Sequence, residues 1–139
     1  MRKGQHFNST LCSLLSKLGH TDQIVIGDAG LPIPATTERI DLALTYNIPS
    51  FLQVFDVISQ DMQIEKVILA TEIKEKNPTI YTDILKRIAH LETQQQTQIT
   101  LEFISHEALK AQSASAKAVI RTGECSPYAN IILQSGVIF

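Results

Sequence analysis

Apolar positions along the chain recur with two spacings that alternate. Period-two patterns and short β-branched runs predict strands at 23–26, 38–44, 64–73, 98–104, 118–120 and 131–133. Apolar residues three and four apart predict helices that begin near residues 9, 49, 78 and 107. This alternation of strands and helices predicts an α/β fold, a three-layer α/β/α domain around a central sheet that is largely parallel or mixed.

Residues at the boundaries support these helices. Asn8 or Ser9 can cap the first helix, and Gly19 is expected to end it. Pro49 suits the first turn of the second helix, although the β-branched residues after it leave a strand as the alternative. The clearest helix opens at the Asn-Pro pair 77–78.

Length and composition describe one ordinary globular domain, residues 1–139, with 44% hydrophobic and 19% charged residues. A net charge of -2 gives no reason to expect nucleic acid or an anionic membrane as a partner. No secretory signal follows the Met-Arg-Lys start, and no apolar run approaches the roughly 18 residues of a membrane span. Cys12 and Cys125 lack a CxxC spacing and are expected to be reduced, so a cytoplasmic protein is predicted.

The stretch GHTDQIVIGDAGLPIP, residues 19–34, carries an ionisable residue at each end of one buried strand. His20 precedes the strand and can titrate near neutral pH. Asp28 follows it, where the carboxyl ends of strands face ligands in open α/β sheets. Asp28 as a turn or cap residue is an equal alternative.

Further polar side chains stand at the ends of later elements. His106 follows the strand 98–104, and the turn RTGECSPYAN, residues 121–130, presents Tyr128 and Asn130 before the last strand. A carboxylate, an amide, an aromatic ring and histidines together suit a polyhydroxylated ligand, although each residue alone is more often structural.

Several familiar catalytic motifs are absent. The sequence has no GxGxxG, Walker A, HExxH or nucleophile-elbow pattern. Asp28 lacks the second carboxylate two residues on that an aspartyl phosphotransferase uses to hold magnesium. The residue types of His20, Asp28 and His106 could bind a metal, but their spacing does not support one, so neither a metal nor a cofactor is predicted.

Four ordered blocks resemble one family from end to end of the chain, the sugar mutarotases that act on ribose and fucose. They are GHTD at 19–22, DAGLPIP at 28–34, RID at 39–41 and RTGECSPYAN at 121–130. The loop after Asp28 and the CSP segment at 125–127 look like the ribose branch.

The resemblance implies interconversion of β-D-ribopyranose and β-D-ribofuranose without a cofactor. It implies His20 as proton donor, and Asp28, His106, Tyr128, Ala129 and Asn130 as sugar-binding residues. It also implies rings of five subunits, two of them stacked as a decamer, with sites near subunit contacts.

The residues leave two alternatives open. Asp28 could bind the sugar or orient His20. A non-catalytic ribose-binding or regulatory protein, or a mutarotase for another sugar such as L-fucose, could use the same pocket.

Overall fold

A computed structural model describes the whole chain, Met1 to Phe139. Its strands are β1 (Gln23–Gly27), β2 (Glu38–Asp41), β3 (Ile64–Ala70), β4 (Thr100–Ile104), β5 (Ala118–Arg121) and β6 (Ile131–Ser135). Its helices are α1 (Ser9–Lys17), α2 (Phe51–Asp61), α3 (Ile73–Lys76), α4 (Pro78–Gln95) and α5 (His106–Ser113).

The six strands form one sheet in the order β2-β5-β1-β6-β3-β4. β5 is parallel to β1 and β2, β3 is parallel to β4, and β6 is antiparallel to both of its neighbours, β1 and β3. The first five strands therefore point one way and β6 points the other. We call the edge where those five strands end the carboxyl edge, and the opposite edge the amino edge. Because β6 is reversed, the residues just before it lie at the carboxyl edge.

The sheet is covered on both faces, because successive strand residues point to opposite sides. Ile24 and Ile26 of β1 join a cluster of 23 buried residues that also contains apolar side chains of α1, α2 and α4. Val25 joins a cluster of 8 on the other face, where Leu109 of α5 packs. The predicted three-layer α/β/α domain with a mixed sheet is confirmed.

The helix boundaries correct some sequence predictions. Asn8 caps α1, accepting a hydrogen bond from the Leu11 N–H at 2.9 Å, but α1 ends at Lys17, before Gly19. The apolar segment after Pro49 forms a helix, α2, and not the alternative strand. It begins at Phe51 because Ser50 forms a capping box with Gln53. No helix combines the length and the apolar character needed to cross a membrane.

Two predicted strands are too long. β2 stops at Asp41 because the Asp41 carboxylate accepts a hydrogen bond from the Ala43 N–H at 3.0 Å and turns the chain. β3 stops at Ala70. The apolar Ile73 continues the pattern in the sequence, but it is fully buried as the first residue of α3.

Candidate functional site

The carboxyl edge brings four of the predicted site residues together. Asp28 follows β1, Tyr128 and Asn130 precede β6, and His106 begins α5 directly after β4. The centroids of the His106 and Tyr128 rings lie 5.0 Å apart, edge to face at 81°. Asn130 is hydrogen-bonded to Asp28 on the other side of the same loop.

Asp28 and Asn130 form a double hydrogen bond. The Asn130 Oδ1 accepts from the Asp28 N–H at 2.9 Å, and the Asn130 Nδ2 donates to the Asp28 Oδ2 at 2.9 Å. The other carboxylate oxygen of Asp28 accepts from the Gly30 N–H at 2.9 Å. Asn130 and Ala129 have no exposed surface, whereas Asp28 is partly exposed. In this chain, then, the Asn130 amide holds the Asp28 carboxylate in place, and a direct contact between Asn130 and a sugar stays a prediction.

The Tyr128 backbone is held in a left-handed conformation, with φ at 56°. That conformation costs an ordinary residue roughly 1–2 kcal/mol, so neighbouring groups must enforce it. The Asn77 Nδ2 donates to the Pro127 carbonyl at 2.8 Å and to the Ser126 Oγ at 2.8 Å. The Asn130 N–H donates to the Tyr128 carbonyl at 2.8 Å. These bonds fix the direction in which the Tyr128 ring faces His106.

Glu124 is a buried carboxylate beneath the same loop. Its Oε2 accepts from the Phe51 N–H at 3.0 Å, and its Oε1 accepts from the Ser126 hydroxyl at 2.8 Å. A negative charge is favoured there because it lies at the N-terminus of α2. Glu124 thus joins α2 to the loop that carries Tyr128 and Asn130.

Sequence reasoning missed Glu124 and Asn77 as supports of the site. Asn77 was interpreted only as a helix start, which it is, since its Oδ1 accepts from the Ile80 N–H at 3.4 Å. A charged Glu124 among small and apolar residues was the available signal, but the sequence could not show that it faces a helix terminus.

His106 offers an unused nitrogen to this site. Its Nδ1 is buried and has no hydrogen-bond partner, while its backbone N–H donates to the Glu72 carboxylate at 3.0 and 3.2 Å. An unsatisfied buried nitrogen is costly, and a ligand hydroxyl can relieve this only where the ring turns or its neighbours move, because the atom has almost no exposed surface. The structure therefore leaves one polar atom free beside Tyr128.

His20 lies at the amino edge, away from the other four residues. Its Nε2 is 2.9 Å from the Oε2 of Glu65, the second residue of β3, and its side chain is 55% exposed. The strand β1, five residues long, separates it from Asp28 by at least about 13 Å. The possibility that Asp28 orients His20 is therefore wrong within one chain: Asp28 is bonded to Asn130 and Gly30, and His20 to Glu65.

Glu65 is held ionised at the amino edge. A hydrogen bond from Gln134 at 2.7 Å, together with the contact to His20, holds the pKa of the Glu65 carboxyl below its usual value. At neutral pH the carboxylate therefore only accepts hydrogen bonds.

A shallow depression of about 450 Å³ opens beside Asp28 at the carboxyl edge, and the Glu124–Pro127 segment forms its other wall. A larger depression of about 550 Å³ lies against α2, away from the predicted site. It is mainly apolar, and its one ionisable residue, Asp56, is already bonded to Arg87 at 2.6 and 2.9 Å. The smaller depression has Asp28 on its wall, whereas His106, Tyr128 and Asn130 do not line it. The chain has no group of three or more His, Cys, Asp or Glu side chains arranged to hold a metal ion.

Comparisons with known proteins agree with the fold. The model of the RbsD / FucU transport protein family matches residues 1–138. A D-ribose pyranase of Yersinia enterocolitica is 59% identical over 139 residues, which is 100% of both chains, and one of Yersinia pestis is 58% identical over the same span.

Solved structures show the same likeness. The structure of Bacillus subtilis RbsD complexed with D-ribose is 44% identical with a TM-score of 0.91, and the match covers 100% of both chains. A fucose mutarotase from Streptococcus pneumoniae in complex with L-fucose is 27% identical with a TM-score of 0.78, over 95% of this chain and 94% of that one. The predicted resemblance is confirmed, and the chain belongs to the RbsD / FucU family.

Proposed function

We propose that this protein is a D-ribose pyranase, an isomerase that interconverts β-D-ribopyranose and β-D-ribofuranose. The observation that carries the choice of sugar is the full-length identity of 59% to a protein named D-ribose pyranase. The structural likeness to an RbsD with bound D-ribose supports it.

The carboxyl edge has the groups that a sugar needs. Asp28 is an acceptor held by Asn130, and the His106 Nδ1 lacks a partner, so it can bond a hydroxyl once the ring turns toward the ligand. The Tyr128 ring can cover the apolar face of the sugar. We propose Asp28, His106 and Tyr128 as direct contacts, with Ala129 and Asn130 completing the binding segment.

The reaction is an acid–base reaction. A proton from His20 reaches the ring oxygen as its bond to C1 breaks, and the electron pair of that bond stays on the oxygen. The anomeric hydroxyl becomes the carbonyl and gives its proton to water. Closure through the other hydroxyl reverses both transfers. A well-placed acid contributes about 10²- to 10⁴-fold in rate, which suffices for a reaction that already proceeds slowly in water.

We propose that two copies of the chain complete each site. His20 must come within hydrogen-bond reach of the sugar to act. In one chain, however, it lies at the amino edge of the sheet, whereas Asp28 lies at the carboxyl edge. The partner subunit's His20 would resolve this. Exposed apolar side chains support self-association: Leu44 is 81% exposed, Tyr46 83% and Phe139 100%. We propose pentameric rings stacked in pairs as the homo-oligomer, and a cytoplasmic location because Cys12 and Cys125 are free thiols.

NMR exchange spectroscopy of D-ribose tests the activity. Saturating the pyranose anomeric proton should reduce the furanose signal faster with protein than without it. Faster exchange of L-fucose but not of D-ribose would make the protein a fucose mutarotase. Ribose binding without any acceleration would make it a binding protein.

His20→Ala should abolish most exchange and leave ribose affinity largely intact, because a group needed in the transition state affects turnover more than ground-state binding. Asp28→Ala should instead weaken binding by roughly 0.5–3 kcal/mol, the cost of lost hydrogen bonds. If His20→Ala loses activity only in proportion to lost affinity, the donor role passes to another residue, with His106 next.

Mixing equal amounts of these two variants tests the two-chain site, at a ribose concentration low enough that Asp28→Ala alone shows little exchange. If each site takes His20 from one chain and Asp28 from its neighbour, random co-assembly should leave about a quarter of the sites intact. Activity that stays at the level of the separate variants after unfolding and co-refolding, with assembly verified by light scattering, would place both residues in one chain. A mass of about 15 kDa by light scattering would refute the oligomer itself.

A further inference from the structure

A chain of side-chain hydrogen bonds crosses the amino edge and ends at His20. The Gln112 amide donates to Gln23 at 2.9 Å, Gln23 donates to Gln134 at 2.8 Å, and Gln134 donates to Glu65 at 2.7 Å. The last contact joins the Glu65 Oε2 to the His20 Nε2 at 2.9 Å. Four side chains from four elements thus form a line of hydrogen bonds that ends at one imidazole nitrogen.

The direction of these bonds is set by their chemistry. Each amide gives an N–H to the oxygen of the next side chain, so the Glu65 Oε1 accepts from Gln134. Glu65 is ionised at neutral pH and has no proton to give to either neighbour. The His20 Nε2 must therefore carry the hydrogen in their contact. A neutral imidazole has only one N–H, so its Nδ1 then holds the free electron pair.

We propose that Glu65 is a positioning residue that fixes His20 as the Nε2–H tautomer, which makes Nδ1 the nitrogen that exchanges a proton with the sugar. This role rests on the proposed function of His20 as proton donor. The imidazolium keeps its Nε2–H on Glu65 and passes the Nδ1 proton to the ring oxygen as the bond from C1 opens. On closure, Nδ1 takes the proton of the attacking hydroxyl, and the carbonyl oxygen takes one from water. Whenever the ring is neutral, its hydrogen is therefore on Nε2.

The surrounding charges leave Glu65 as the direct partner of the ring. Lys66 is adjacent in the strand and is paired with Glu102 at 3.2 Å. Asp22 is bonded to the Gly19 N–H at 2.8 Å and lies 3.4 Å from the Lys117 ammonium. Glu65 is accordingly the carboxylate that bonds the His20 ring.

The test is Glu65→Gln. Gln134 would still donate to the new side-chain carbonyl, so the new amide group would face the His20 Nε2 as a donor. The neutral ring should then become the Nδ1–H tautomer. We expect ¹⁵N NMR of histidine-labelled protein, with the His20 signal assigned by its loss in His20→Ala, to show Nε2–H in the wild type and the swap in Glu65→Gln.

Variants that change the tautomer of His20 should also lose turnover. In ribose exchange, Glu65→Gln should lower kcat by about 10- to 100-fold with little change in KM, a part of the 10²- to 10⁴-fold that a general acid supplies. Glu65→Asp should keep the wild-type tautomer and recover part of the activity. Glu102→Gln is the matched control, since it removes a similarly exposed carboxylate that does not bond His20 and should leave both readouts unchanged.

Two results would overturn the role of Glu65: an Nδ1–H tautomer in the wild type, or a Glu65→Gln variant that keeps normal tautomer and turnover. The tautomer is read without substrate, so a failure of the proposed function would be visible separately, as a wild-type protein that does not accelerate ribose exchange. The wild-type spectrum tests the assignment even if a variant does not fold.

Discussion

The Asp28–Asn130 pair makes a pH-dependent prediction, tested by Asn130→Asp. The substitution keeps the shape of the side chain but places a second carboxylate where the amide donated to Asp28 at 2.9 Å. The retained Oδ1 can still accept from the Asp28 N–H. The substitution makes two carboxylates, those of residues 28 and 130, face each other, and residue 130 has no exposed surface.

The magnitude follows from the distance. Two unit charges 2.9 Å apart repel by about 6 kcal/mol at an effective dielectric constant of about 20. Taking up one proton from solution at pH 7 costs only about 4 kcal/mol for a carboxyl group of ordinary pKa near 3.9. The folded variant should therefore share one proton between the two carboxylates, and its O–H can replace the lost amide donor. We expect a destabilisation of about 4 kcal/mol at pH 7 and about 1.5 kcal/mol at pH 5.

The sign is fixed by proton linkage. Between about pH 5 and 7 the folded variant binds one proton more than its unfolded chain, so its free energy of unfolding should fall by about 1.4 kcal/mol per pH unit relative to the wild type. Urea unfolding monitored by far-UV circular dichroism, at one fixed chain concentration, measures this slope. The concentration must be fixed because self-association adds to apparent stability.

Two further variants isolate the charge effect. Asn130→Ala loses the same hydrogen bonds without adding charge, so it should be less stable by about 1–3 kcal/mol at every pH. Asn47→Asp keeps the acceptor that bonds the Cys125 N–H at 3.0 Å and faces no carboxylate, so it should show no such slope. A flat pH dependence in Asn130→Asp would mean that residues 28 and 130 are not paired as described.

Three further predictions concern packing, the loop and metals. Gly123→Ala should cost about 1–3 kcal/mol in urea unfolding, since its Cβ would lie 2.5 Å from the Ile48 carbonyl oxygen, whereas Gly30→Ala, with its nearest atom at 3.6 Å, should be tolerated. Asn77→Ala should weaken ribose binding measured by calorimetry, because it releases the Pro127 carbonyl, and unchanged affinity in a folded variant would remove Asn77 from the support of the loop. Ribose exchange should be unaffected by a chelator, and activity that is lost with chelator and regained with zinc would contradict this.

The secondary structure was largely predictable because most elements depend on local patterns. The buried strand β1 and the long helix α4 carry their period and boundary residues within themselves. The errors occur where a polar side chain or a tertiary contact overrides the period. Asp41 turns the chain inside an alternating pattern, and Ile73 supplies a helix turn with an apolar residue that resembles strand continuation.

The members of the site were predictable as residue types, but their partners were not. Asp28 and His106 were found because each follows a strand. The carboxylates Glu65 and Glu124, which bond His20 and the N-terminus of α2, lie 45 and 73 residues from these partners. A single sequence contains no local signal for such long-range hydrogen bonds.

The direction of β6 explains why the site forms where it does. β5 and β6 lie on opposite sides of β1, so the connection 122–130 has to pass over the carboxyl end of β1. It is bonded there along its length: the Thr122 Oγ1 donates to the Gly27 carbonyl at 2.8 Å, and the Ala29 N–H donates to the Glu124 carbonyl at 2.8 Å. If β6 ran parallel to β1, the residue before it would lie at the amino edge, and Asn130 could not reach Asp28. The same reversal carries Gln134, near the end of β6, to the amino edge beside Glu65. One antiparallel strand thus places Asn130 beside Asp28 at its first end and Gln134 beside Glu65, the partner of His20, at its last.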